Sequence, residues 1–177
     1  MATRTPLKIV KAEAEECRIA AVALRDAKIS NKRFRRQFYH LLRELTKNSL
    51  YITKEALELK KEGVKKVYTH DHFFRPELWG PAVRYQRELL DDPQLFWTLA
   101  DHLRTVCLCT KAQNQTLKEK SRVDTGLART KTVNLYQSFG FTIYSCPKNY
   151  QTAVEEPIAF DVPDFMAEIE ANVLKWR

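Results

Sequence analysis

Glycine is scarce in this chain: four among 177 residues. That excludes a collagen-like or glycine-rich low-complexity chain and argues against a protein built from many tight hairpins. No apolar run approaches the roughly 20 residues a spanning helix needs, so an integral membrane protein is excluded. The opening MATRTPLKIVKAEAEE lacks an apolar core of the secretory type, and the expectation is a cytoplasmic protein. Four cysteines (Cys17, Cys107, Cys109 and Cys146) then read as reduced thiols. The one close pair is spaced C-x-C, and a structural zinc site wants C-x2-4-C. No glycine-rich phosphate loop and no Ser or Cys nucleophile motif occurs, which leaves little support for a small-molecule enzyme.

What the chain has is positive charge, +8 overall, with 30 Lys and Arg against 22 Asp and Glu. Its distribution is uneven. Residues 1–66 carry a net +9, residues 67–110 a net −2, residues 111–148 a net +5 and residues 149–177 a net −4. Two basic stretches suit a polyanion, through phosphate neutralisation and counterion release. Double-stranded DNA is the expected partner, and no membrane is expected.

Hydrophobic periodicity predicts a helix over 6–28 and a second after the Ser30-Asn31 break. The second buries Phe34, Phe38, Leu41, Leu42 and Leu45 and turns Lys32, Arg33, Arg35 and Arg36 outward. Such a charge run is usually a solvated face, but its density makes it a candidate phosphate track. Thr53 predicts the cap of a short helix that ends at Gly63. The first third therefore reads as helical and basic. From Val64 the texture changes, and VKKVYTHDHFF predicts a strand over 64–70. Lys65 and Lys66 lead straight into it as further candidate nucleic-acid contacts. Prolines punctuate 73–103, read as two helices over 82–90 and 94–103. TVCLCT predicts a strand over 105–110, KAQNQTLKEKS a helix over 111–121, and the segment near 141–145 another strand. A polar basic loop to Thr130, a short helix before Gly140 and a helical acidic tail complete the reading. The fold class is α+β, mostly helical. The expected division is a basic helical region over 1–63, a strand-containing unit over 64–121 with a helical insertion at 73–103, and a C-terminal segment over 122–177.

Asp71-His72 ends the first strand, and Asn114 stands near the start of the helix that follows the second. Taken alone, Asp-His is most often a surface turn, and a lone Asn a solvated helix residue; their ordered context is what raises them. The segments VYTHDHFFRP and LRTVCLCTKAQNQTLK resemble the HNH, or His-Me finger, endonucleases with their ββα-metal unit. The resembled subtype uses Asp and His in sequence and then a helical Asn, as phage homing-type endonucleases do. The resemblance covers about a third of the chain. It implies that His72 is the general base and that Asp71 and Asn114 hold Mg²⁺ or Mn²⁺. Lys118, one turn beyond Asn114, would contact a neighbouring phosphate. The implied activity is hydrolysis of DNA phosphodiester bonds, leaving 5′-phosphate and 3′-hydroxyl ends. A non-catalytic nucleic-acid-binding module, or a phage regulator or inhibitor, is the competing reading.

The remaining chemistry-bearing residues have plainer expectations. His70 shares a strand face with His72. Asp101-His102 reads as helix surface, and secondarily as a substitute for the motif's middle residue. His40 reads as a partly buried helix residue. Cys107 and Cys109 read as core.

Overall fold

The computed structural model describes residues 9–46, 48–73, 76–123, 136, 139–146, 153–155, 164–166 and 168. It is a mostly helical α+β protein whose contacts divide it into two units that interleave along the chain. One is drawn from Met1–Asn48, Arg75–Arg104 and Asp161–Arg177, the other from Ser49–Phe74 and Thr105–Phe160. The expected blocks 1–63, 64–121 and 122–177 do not coincide with these units. The helices over 76–104 pack with the N-terminal helices, because their apolar faces are buried there.

The first unit is helical. Helix α1 (Lys11–Asp26) starts later than the predicted residue 6. Ile9, just before it, is tied down by both its backbone groups. Its N–H donates to Asp101 Oδ1 at 3.0 Å, and its carbonyl accepts from Trp97 Nε1 at 2.7 Å. Helix α2 (Asn31–Glu44) is capped by Ser30, whose hydroxyl accepts from the Arg33 N–H. Phe34, Phe38 and Leu42 recur at helical spacing and are fully buried. Helices α4 (Pro76–Tyr85), α5 (Glu88–Asp91) and α6 (Pro93–Arg104) replace the two predicted after Phe73. Pro81 lies inside α4, and the first helix extends back beyond it. Gly80 lets α4 approach α2 closely: a Cβ built there would lie 3.0 Å from Arg35 Cγ and 3.2 Å from Arg35 Cα. No helix among the described residues is long and apolar enough to cross a membrane.

The second unit holds a five-stranded sheet in the order β2-β3-β1-β4-β5. Its strands are β1 (Asn48–Thr53), β2 (Tyr68–His72), β3 (Thr105–Thr110), β4 (Ile143–Ser145) and β5 (Val154–Glu155). Helices α3 (Lys54–Lys61) and α7 (Lys111–Val123) belong to the same unit. β3 matches its predicted bounds, and β4 falls within the predicted segment. β1 was expected to be part of a helical region. Its NSLYIT is β-rich, and its partners, β3 and β4, lie far along the chain. β2 begins at Tyr68 rather than Val64, because Lys66 adopts a left-handed φ of 65° that interrupts an extended chain. β5 was not anticipated. Of the tail helix, Asp164–Met166 and Glu168 are helical, and the rest lies outside the described residues, as does the predicted loop from residue 124 to Thr130.

Period-two alternation gives the sheet two unlike faces. Ile52 and Leu108 point toward α3, where they pack with Ala56, Leu57 and Cys146 and with the partly buried Tyr68 and Tyr144. The antiparallel register pairs His70 with Leu108 and Asp71 with Cys107, so Asp71 leaves from the opposite face.

Candidate metal and nucleic-acid site

Helix α7 is fixed at its first turn by a reciprocal capping box. The Gln113 N–H donates to Thr110 Oγ1 at 3.2 Å, and Gln113 Oε1 accepts from the Thr110 N–H at 3.0 Å. The same Oε1 accepts from the Thr53 hydroxyl at 2.7 Å. Thr53 also accepts from the Ala56 N–H, so one hydroxyl caps α3 and anchors α7 to β1. The spacing Thr110-x-x-Gln113 is a sequence signal that would have located this cap, although it was not read as one.

These bonds tie the first turn of α7 to the ends of β1 and β3. Thr53 stands two residues from Tyr51, on the face opposite Ile52. Tyr51 meets the Phe73 ring edge-on, with centroids 5.2 Å apart. Phe73 in turn lies 5.4 Å from the Tyr136 ring. The Tyr136 hydroxyl donates to Asp71 Oδ2. Asp71 is buried, 5% exposed, in β2 at the edge of the sheet. Sequence reasoning missed Tyr136, which stands 65 residues from its partner.

Gln113, Asn114 and Leu117 are the buried positions of α7 for which side chains are described. Asn114 is 8% exposed, and its Oδ1 has no hydrogen-bond partner. A buried acceptor without a donor costs about 1–3 kcal/mol, so its retention calls for a reason. Asp71 and Asn114 thus sit on elements that pack on one another: α7 contacts both β2 and β3.

His72 is the last paired residue of β2, opposite Val106, and is half-buried. The ladder continues past it, since the Phe73 N–H donates to the Thr105 carbonyl at 3.4 Å. The turn that would let Asp71 and His72 face one site therefore does not come between them. Strand alternation sends their side chains from opposite faces. His70, two positions earlier, shares the His72 face, as expected, and is exposed.

Among the described residues no group of three or more His, Cys, Asp and Glu side chains could hold a metal ion. Asp71 and Asn114 both offer oxygen, the donor atom a hard divalent cation takes, and Asn114 Oδ1 is orphaned. The neighbouring Cys107 thiol does not compete. Burial first, and then the charges of Cys109 and Asp71, push the Cys107 thiol well above its ordinary pKa, so it stays protonated. Burial likewise raises the Tyr136 hydroxyl well above the usual phenol range, which keeps it a donor to Asp71.

Lys118 is exposed on α7, four residues beyond Asn114. Lys65 and Lys66 are exposed on the turn before β2 rather than within it. In the first unit Lys32, Arg33, Arg35 and Arg36 are all exposed on α2. The ion pairs shown for the described residues of this unit are those of Arg18 with Glu15 and of Arg25 with Asp26 and Asp91, and none involves these four. His40 is exposed rather than partly buried. Asp101 is not helix surface: it is buried and holds the Ile9 N–H. His102 is half-buried, with Nδ1 2.7 Å from the Thr98 carbonyl, which fixes the proton on Nδ1.

No family model matches the chain, and neither a curated protein nor a solved structure matches it.

Proposed function

We propose that the protein is a divalent-metal-dependent DNA endonuclease of the HNH type, working in the cytoplasm. The observation that carries this reading is the orphaned, buried Oδ1 of Asn114, on the helix that packs against the strand of Asp71. Asp71 and Asn114 would hold Mg²⁺ or Mn²⁺, which supplies charge neutralisation at the scissile phosphate and its leaving oxygen. His72 would accept the proton of the attacking water through a ring nitrogen. For that the water must sit at the end of β2, where the strand stops screening one face of the sheet from the other. Lys118, Lys65 and Lys66 would engage neighbouring phosphates. Lys32, Arg33, Arg35 and Arg36 offer the first unit's own phosphate contacts.

Plasmid cleavage with Mg²⁺ or Mn²⁺ tests the reading. Wild type is expected to cut. His72→Ala, Asn114→Ala and EDTA should each abolish cutting. Cutting that survives both substitutions refutes the site.

The divergence of Asp71 and His72 across the sheet favours a second reading, a non-catalytic nucleic-acid-binding module. Under that reading the protein retards DNA in a gel, cuts neither plasmid nor DNA from its native genome, and binds equally well with EDTA.

A further inference from the structure

Asp71 is the one buried acid among the described residues of its unit. Its carboxylate is held from outside the strand pair, by Tyr136 at Oδ2. That phenol is itself immobilised. The ring is fully buried, lies 5.4 Å from Phe73, and through Phe73 is tied to Tyr51 of β1. A phenol has two side-chain torsions, and with its ring packed its hydroxyl has one place to go.

We propose that Tyr136 is a positioning residue: its hydroxyl fixes the carboxylate of Asp71 in the orientation in which, with Asn114, it binds a divalent cation. The inference rests on the metal-site reading above. Hydrogen bonds from outside the ligand set commonly orient ligating carboxylates. Here the carboxylate comes from an edge strand, and β3 alone flanks it in the sheet. The aromatic bridge from Tyr51 through Phe73 to Tyr136 gives that edge a rigid backing. Asn114 needs no such partner, because its helix is already clamped by Gln113 to Thr53 and Thr110.

The test is direct Mn²⁺ titration, with free Mn²⁺ counted by electron paramagnetic resonance and no DNA present. Wild type, Tyr136→Phe and Asp71→Asn are compared, and far-UV circular dichroism checks each fold. Wild type should bind, Asp71→Asn should lose binding, and Tyr136→Phe should bind about 10–100-fold more weakly. Equal affinity in wild type and Tyr136→Phe, with Asp71→Asn impaired, overturns the role of Tyr136 and leaves the metal site standing. Wild type that takes up no Mn²⁺, or Asp71→Asn that binds as wild type does, overturns both. If Tyr136→Phe loses its folded spectrum, proton NMR of the wild type decides. The buried Tyr136 hydroxyl proton, identified by its proximity to the Phe73 ring, should shift along the Mg²⁺ binding curve. A resonance that stays fixed at saturating Mg²⁺ overturns the proposal.

Discussion

Replacing Asn114 by leucine should stabilise the metal-free protein and remove its response to metal. The side chains are similar in size, and position 114 belongs to the buried stripe that also contains Gln113 and Leu117. Leucine removes an acceptor that has no donor. The relief is about 1–3 kcal/mol, with a further gain from burying apolar atoms in place of an amide. Wild type should behave in the opposite way when metal is added. A ligand at a hundred times its dissociation constant stabilises the folded state by about 2.7 kcal/mol. The two proteins should therefore exchange or nearly exchange rank: the leucine variant leads without Mg²⁺, and wild type gains ground only with it. Tryptophan fluorescence would watch the wrong unit, since Trp79 and Trp97 belong to the first. Amide hydrogen exchange of β3 gives the opening free energy of the second unit directly. The reasoning is refuted if the leucine variant opens more readily than wild type without metal. Equal Mg²⁺ stabilisation of both proteins refutes the ligand role by itself.

Other substitutions probe the rest of the structure. Arg104 is buried and donates from one guanidinium nitrogen to the Leu45 carbonyl at 2.6 Å, and desolvation lowers its pKa. Arg104→Ala strands that carbonyl at the end of α2 and should cost about 2–4 kcal/mol, measured by tryptophan fluorescence in urea. Gly80→Ala gains about 1 kcal/mol of helix propensity but drives a methyl against the Arg35 backbone. The net effect should be a loss of about 1–2 kcal/mol, visible as a lower urea midpoint. Burial raises the Cys17 thiol from 9.0 to about 12. A raised thiol pKa favours folding below the unfolded value, so stability of the first unit should fall between pH 9 and 12. Cys17→Ala should flatten that fall by up to about 1.4 kcal/mol per pH unit, read from urea midpoints across the range. Neutralising Arg33 and Arg36 with glutamine should reduce the slope of log affinity against log salt by about 1 for each phosphate contact removed, measured by DNA retardation at several salt concentrations.

The parts of this fold that were legible in the sequence are those whose causes are local. Ser30 and Thr53 cap helices because a short side-chain oxygen meets an N–H three residues on. Gly63 ends α3 because it alone there accepts a φ of +77° cheaply. TVCLCT could be read as a strand, being a short apolar run with β-branched Thr105, Val106 and Thr110, bounded by helices. β1 could not, because six residues between two helices carry no pattern strong enough to outweigh their neighbours. Its identity comes from β3 and β4, which supply partners from distant sequence. The site divides in the same way. Of the candidate site, the sequence carries Asp71 and Asn114 only by residue type and order, and Thr110-x-x-Gln113 carries the capping box that fixes the first turn of α7.

Tyr136 was not legible, for nothing near it in the chain points to a carboxylate 65 residues away. The relation of Asp71 to His72 depends on a single rung of the ladder. If β2 ended at Asp71, the two side chains could turn into one site. Because His72 still pairs with Val106, they diverge. That rung is the structural question on which the nuclease and the binding module part. A catalytic His72 must act from the open end of an edge strand, so its loss should abolish cutting while leaving Mn²⁺ affinity at Asp71 and Asn114 unchanged. A His72→Ala protein that loses both would mean that His72 itself binds the metal, and the assignment of the base would have to move elsewhere.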